Sequence, residues 1–168
     1  METLKSCIGE IKKYIDNPRD GLPEELFLFA TEITPMVNVD LLVRDDEGRI
    51  LLAWRDDDIY GSGWHVPGGI IRLKESFSER IQKTAECELG CNVIASENPI
   101  EIVPIICPEM QVRGHFISFV YECKLPKDFC IKNKNLNRHE RGYLEWHRKF
   151  PDDMLAVHTF YRKYFVEQ

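Results

Sequence analysis

Nowhere does this chain stay apolar for the twenty or so residues that cross a bilayer, so a helical membrane span is excluded. Its six cysteines include no pair separated by two residues, and no histidine completes a ligand-spaced cluster around them, which argues against a zinc module. Free thiols in a reducing compartment are the expectation, and most of them sit in apolar runs. The opening segment METLKSCIGEIKKYI lacks the apolar core of a secretory signal and carries Glu2 and Glu10, so the expected location is the cytoplasm. Positive charge is also in deficit: 22 Lys and Arg against 28 Asp and Glu leave a net charge of −6, which argues against nucleic-acid binding. The one exception lies between Lys124 and Arg141, where six basic residues face two acids. That stretch is a solvated loop or a shield for a diphosphate.

What remains is an ordinary globular composition, 43% hydrophobic and 30% charged, in 168 residues, enough for one substantial core. Leu4, Ile8, Ile11 and Ile15 mark an amphipathic first helix that the Asn17-Pro18 pair ends. A second helix begins at Pro23. Residues 1–35 thus read as a helical extension packed on a core that begins at residue 36, there to cap a sheet or to mediate contacts in a homodimer. From Met36 the pattern turns to strands. Residues 36–43 and 50–54 flank the turn Asp45-Asp46-Glu47-Gly48 and read as a hairpin. Further strands are expected near 100–106, 115–124 and 143–146, and a helix over 152–165 with Leu155, His158, Tyr161 and Phe165 inward. The fold class is α/β, a mixed sheet between helices.

Between Gly69 and Gly90 the sequence GIIRLKESFSERIQKTAECELG reads as a glycine turn opening into a helix. Phe77, Ile81, Ala85 and Leu89 line its buried face, and Glu75, Glu79, Lys83 and Glu86 its solvated one, with Glu79 and Lys83 spaced for an ion pair. Glu88 breaks the pattern. It projects at the edge of the apolar face, in the last turn, where the helix dipole disfavours an anion. A carboxylate there needs a cation, from an Arg or Lys or from a metal ion.

Gly69, Glu75, Glu88, Gly90 and Cys91 fall in register with the motif of the Nudix hydrolases, which this chain resembles. That motif is Gly, five residues, Glu, seven residues, then Arg-Glu-apolar-any-Glu-Glu-any-Gly-apolar. Lys83 replaces its arginine, Thr84 the next glutamate and Cys87 the first of the paired glutamates. The same losses are similar to the GDP-mannose mannosyl hydrolase branch, which breaks the sugar carbon to oxygen bond. The resemblance extends over roughly residues 35–165, through Val37-Asn38-Val39-Asp40-Leu41, Arg55, Gly63-Trp64-His65-Val66-Pro67-Gly68-Gly69, and His139 ahead of Tyr143-Leu144-Glu145-Trp146.

The resemblance implies a Nudix-type α/β/α sandwich, a Mg2+ ion at Glu88 and the Gly68 carbonyl, and a nucleotide-sugar substrate. It implies a general base at His139, in the polar loop Asn137-Arg138-His139-Glu140-Arg141-Gly142; an imidazole suits that task at neutral pH, although a surface loop also accounts for it. It places Asp40 near the sugar, Arg55 and Lys83 at the diphosphate, and Arg138 where the branch has a metal-binding glutamine. Arginine has donors only, so Arg138 would contact substrate rather than metal. Arg72 stands near the position of a further branch arginine, occupied here by Ile70. His65 and His115, in strand-like runs, and His158, in the closing helix, read as structural. The expected reaction is hydrolysis at the anomeric carbon; the alternatives are a pyrophosphohydrolase and a degenerate domain that only binds its nucleotide.

Overall fold

The computed structural model describes residues 3–131, 133 and 135–165. Its elements run α1 (Leu4–Lys12), α2 (Glu24–Ile33), β1 (Met36–Val43), β2 (Ile50–Asp57), β3 (Gly61–His65), β4 (Gly68–Ile70), α3 (Phe77–Leu89), β5 (Ile94–Ala95), β6 (Glu101–Ile106), β7 (His115–Lys124) and β8 (Leu144–His147), then a 3₁₀ segment, Ala156–Tyr164.

The α/β expectation holds, but the strands do not pair as neighbours in sequence. β1 is central in a mixed sheet, parallel to β7 and antiparallel to β4, with β5 and β6 antiparallel to β7 on its far side. β2 belongs to a second, antiparallel sheet between β3 and β8. The expected pairing of β1 with β2 therefore does not form, although the chain does turn between them, where the Asp45 amide donates to the Arg49 carbonyl and Arg44 bridges to Ile50. From Val39 to Val43 every residue of β1 is buried, so the strand offers no solvated face and takes partners on both sides.

Two apolar clusters flank the β1 sheet. Val39, Leu41 and Val43 of β1 pack with Ile81, Ala85 and Leu89 of α3 and with Tyr121 and Cys123 of β7. On the other side Leu42 and Val120 pack with Trp54, Trp64, Met154, Tyr161 and Phe165. α3 thus covers one face of the β1 sheet, and the second sheet together with the 3₁₀ segment covers the other. The closing helix is 3₁₀ rather than α, and its inward residues Leu155 and Tyr161, with His158 between them, keep the three-residue spacing of that geometry.

α3 begins later than the glycine turn suggests, because Gly68–Ile70 pairs with β1 first. Ser76 and Glu79 form a reciprocal capping box at its start, and Gly90 ends it in the left-handed conformation at φ 72. Glu79 is committed to that cap, so Lys83 bonds Glu75 instead, at 2.9 Å. Glu75 is not solvated: its side chain is 1% exposed and Arg80 grips it through two nitrogens. Burial pushes the Glu75 carboxyl up, but the bonds from Arg80, Lys83 and the Arg72 amide overcome it and hold the group down at about 2.

The extension meets the core through α2 and the segment before it. Arg72 donates to the carbonyls of Arg19 and Asp20, and Thr31 accepts the Arg113 amide. α1 buries no residue, and Leu4, Ile8 and Ile11 of its apolar stripe are exposed.

Candidate active site

A cleft of about 660 Å³ opens where β4 leaves β1, with walls from the 18–22 segment, the β2 end, and the 3₁₀ segment. That volume lies within the range of small-molecule sites. Asp40, Arg55 and Gly68, expected from sequence, all line it.

Asp40 stands opposite Gly68 in the β1–β4 ladder, so the strand register brings these two together. A Cβ at position 68 would collide with the Asp40 carboxylate, which explains the glycine. Asp40 is 4% exposed and accepts at Oδ2 from the Tyr161 hydroxyl at 2.6 Å and from Ser118. Burial pushes its carboxyl up from 3.8 to about 6; the Ser118 and Tyr161 bonds pull it back, nearby Glu88 adds to the rise and His65 opposes it.

Glu88 keeps 21% of its side chain exposed, and His65 Nε2 lies 3.1 Å from its Oε2. Its partner is thus a histidine, not the Arg or Lys that a structural ion pair would use. His158 also enters the cleft wall. Its Nδ1 accepts from the Val66 amide at 3.1 Å and burial holds its ring neutral, so its proton sits on Nε2. His65 and His158, 6.0 Å apart between ring centroids, read from sequence as structural, yet they face the same cleft.

Glu88 is not itself a lining residue but meets the cleft through His65, and three other expected residues make their contacts elsewhere. Lys83 is bound to Glu75 and does not line the cleft. Arg138 makes a two-nitrogen pair with Glu145, at 2.8 and 3.2 Å, and its guanidinium sits 5.6 Å from the Trp64 ring. His139, at φ 73, stacks on Trp54 at 4.2 Å between centroids, with its Nε2 3.7 Å from Asp153. Neither Arg138 nor His139 borders the cleft in this conformation. Of the basic stretch around them, Lys132 and Lys134 lie outside the described residues. The Asp56-Asp57-Asp58 run holds no metal-like cluster: Asp57 caps the amides of Ile59 and Tyr60, and Asp56 bonds Ser62.

Sequence reasoning named Arg55 for the substrate and noted Arg72, but missed Arg80 and Arg113. Arg72, Arg80 and Arg113 line the cleft beside Arg55, and Asp40 is the carboxylate among its lining residues. The partners of Arg113 are far away in the chain, so no local pattern marked it.

Magnesium binds through one or two carboxylates and keeps waters or substrate oxygens in its remaining positions. Glu88, partly open to solvent and close enough to Asp40 to raise its carboxyl, fits such an ion, with Gly68 beside them. Among the described residues no three His, Cys, Asp or Glu side chains converge as a fuller metal cluster.

The NUDIX domain family model matches residues 34–154. The low-salt glycan biosynthesis protein Agl8 of Haloferax volcanii is 32% identical over 125 residues, which cover 72% of this chain and 79% of that protein. A MutT Nudix hydrolase from Burkholderia pseudomallei superposes with a TM-score of 0.59 at 22% identity, over 79% of this chain and 99% of its own. A UDP-X diphosphatase superposes with a TM-score of 0.56 at 20% identity, over 95% of this chain and 74% of its own. At such identities the superpositions speak for the fold alone.

Proposed function

The chain belongs to the Nudix domain family, and on that premise we propose that it hydrolyses a nucleoside diphosphate sugar, releasing nucleoside diphosphate and free sugar by attack at the anomeric carbon. The observation that carries this reading is the cleft itself, where arginines surround a site that holds Asp40 and adjoins Glu88, among the described residues too few carboxylates to gather several metal ions around phosphorus. The glycan-biosynthesis relative supports a sugar-linked substrate.

In this reading Arg55 binds the diphosphate and Asp40 orients the sugar, its buried oxygens held by Ser118 and Tyr161. Glu88, with the Gly68 carbonyl, would hold a magnesium ion, whose chemistry there would be to neutralise charge on the diphosphate leaving group. His139 takes the proton from the attacking water. To reach the cleft its ring leaves Trp54 and Asp153. A stacked pair is worth about 1 kcal/mol and an exposed ion pair about as much or less, so that departure costs little. Arg138 and Lys83 take no part in this conformation, bound as they are to Glu145 and Glu75.

A panel of nucleoside diphosphate sugars and nucleoside diphosphates, incubated with magnesium in ¹⁸O-water, tests the reading. Label in the released sugar supports it. Label in phosphate transfers the assignment to a pyrophosphohydrolase, and no product from any member leaves a nucleotide-binding domain, the role that the distance of His139 from the cleft favours as the second reading.

A further inference from the structure

We infer that Arg113 is a second diphosphate-binding arginine of the cleft, and that the N-terminal extension exists in part to hold it there. The inference rests on the reading that the ligand is a nucleoside diphosphate derivative.

The four cleft arginines are not equivalent. Arg80 is matched by Glu75, with Nε 2.7 Å from its Oε2. Arg72 spends its Nη1 on the backbone carbonyls of Arg19 and Asp20. Arg55 has Asp57 at 3.6 Å, a loose contact. Arg113 has no carboxylate within ion-pair reach among the described residues, and its Nε is buried without a hydrogen-bond partner. A buried guanidinium donor left unmatched in a cleft wants an acceptor, and a phosphate matches its planar fork.

The residue is held with evident specificity. Its backbone adopts φ 53, a conformation costly for any side chain with a Cβ. The amide donates to Thr31 Oγ1 at 3.1 Å and the carbonyl accepts from the Tyr60 hydroxyl at 3.1 Å. Its guanidinium carbon stands 5.6 Å from the Phe27 ring and 4.9 Å from the Tyr60 ring. Phe27 and Thr31 both belong to α2, so the extension supplies both the anchor and the shelf. The Arg55 guanidinium stands 5.5 Å from the same Tyr60 ring. One aromatic ring therefore sets the spacing of two incompletely matched cations, and a diphosphate is the ligand that takes both.

Calorimetric titration of UDP, GDP and inorganic pyrophosphate into the full chain, in EDTA and in magnesium, tests this without turnover. Arg113→Ala should weaken nucleoside diphosphate binding roughly 10- to 100-fold, the loss of one or two charged hydrogen bonds, while Arg113→Lys, lacking the fork, should recover only part of it. Thr31→Val should give a smaller loss in the same ligands. Wild-type affinity in Arg113→Ala overturns the inference; should that variant fail to fold, wild-type affinity in Arg113→Lys does so. A wild-type chain that binds none of the three also overturns it. Affinity that depends on Arg113 in a protein without turnover would instead remove the hydrolase reading and leave this one standing.

Discussion

Replacing Asp40 by Asn should stabilise the ligand-free protein at neutral pH while impairing its function. The folded carboxyl titrates at about 6 instead of 3.8, because it is buried between β1, β7 and the 3₁₀ segment. The folded state therefore holds this proton more tightly than the unfolded chain does. Stability from this group is fully present below about pH 4, falls as the pH rises to about 6, and is then constant. The full fall amounts to about 3 kcal/mol. Asn keeps the volume and an oxygen that accepts from Tyr161 and Ser118, as the protonated acid does, and the charge-assisted part of those bonds is already contained in the folded value of about 6. The net expectation is a gain of up to about 3 kcal/mol at pH 7, or about 6–12 °C in Tm for a chain of this size, and no gain at pH 4. Urea and thermal unfolding of both proteins in EDTA, at intervals from pH 4 to 7.5, gives the difference curve, from which other titrating groups cancel. A flat difference across pH 4–6, or a variant less stable than wild type at pH 7, would refute the account of Asp40 as a carboxylate held at a cost for the sake of the site.

Glu75→Gln should behave in the opposite sense. It leaves Arg80 buried without its counter-charge and should cost about 3–5 kcal/mol; in the wild type, the stability due to this group is present above about pH 4.5 and lost as the pH falls towards 2. Unfolding midpoints unchanged by the substitution would show that the pair contributes nothing. Glu88→Gln should weaken magnesium binding, read by calorimetry, with little change in Tm, since the group is partly exposed and its neighbour His65 stays packed; a large fall in Tm with magnesium affinity retained would make the His65–Glu88 contact structural. His139→Gln should lower turnover about 10²- to 10⁴-fold while nucleotide affinity holds. Wild-type turnover in that variant removes the base from the proposed mechanism.

The buried face of α3 was legible at Ile81, Ala85 and Leu89, since apolar spacing is carried within a turn or two of chain, but its start at the Ser76–Glu79 cap was not read. The misplacement of Glu88 and of Asp40 could be seen for a related reason: a carboxylate in an apolar pattern stands out wherever the pattern is local. β7 was likewise read with its bounds intact. Pairing was another matter. β1 read as one arm of a hairpin with β2, yet it lies parallel to β7, and the choice fell to long-range burial of both its faces. The same holds for charge. Glu75, Glu79, Lys83 and Glu86 read as a solvated helix face, yet Glu75 precedes the helix and folds back to meet Arg80 and Lys83, which no helical period describes. Arg113 acquires its place from Thr31, Phe27 and Tyr60, two of them on a helix more than 80 residues earlier. Sequence alone thus determined the family, the motif helix, the cleft carboxylate Asp40 and the neighbouring Glu88, because those rest on spacings of a few residues. Only the tertiary structure decided which cations meet at the cleft and which, like Lys83 and Arg138, are taken by a nearer acid, because that outcome depends on distances in space between segments the chain does not place side by side.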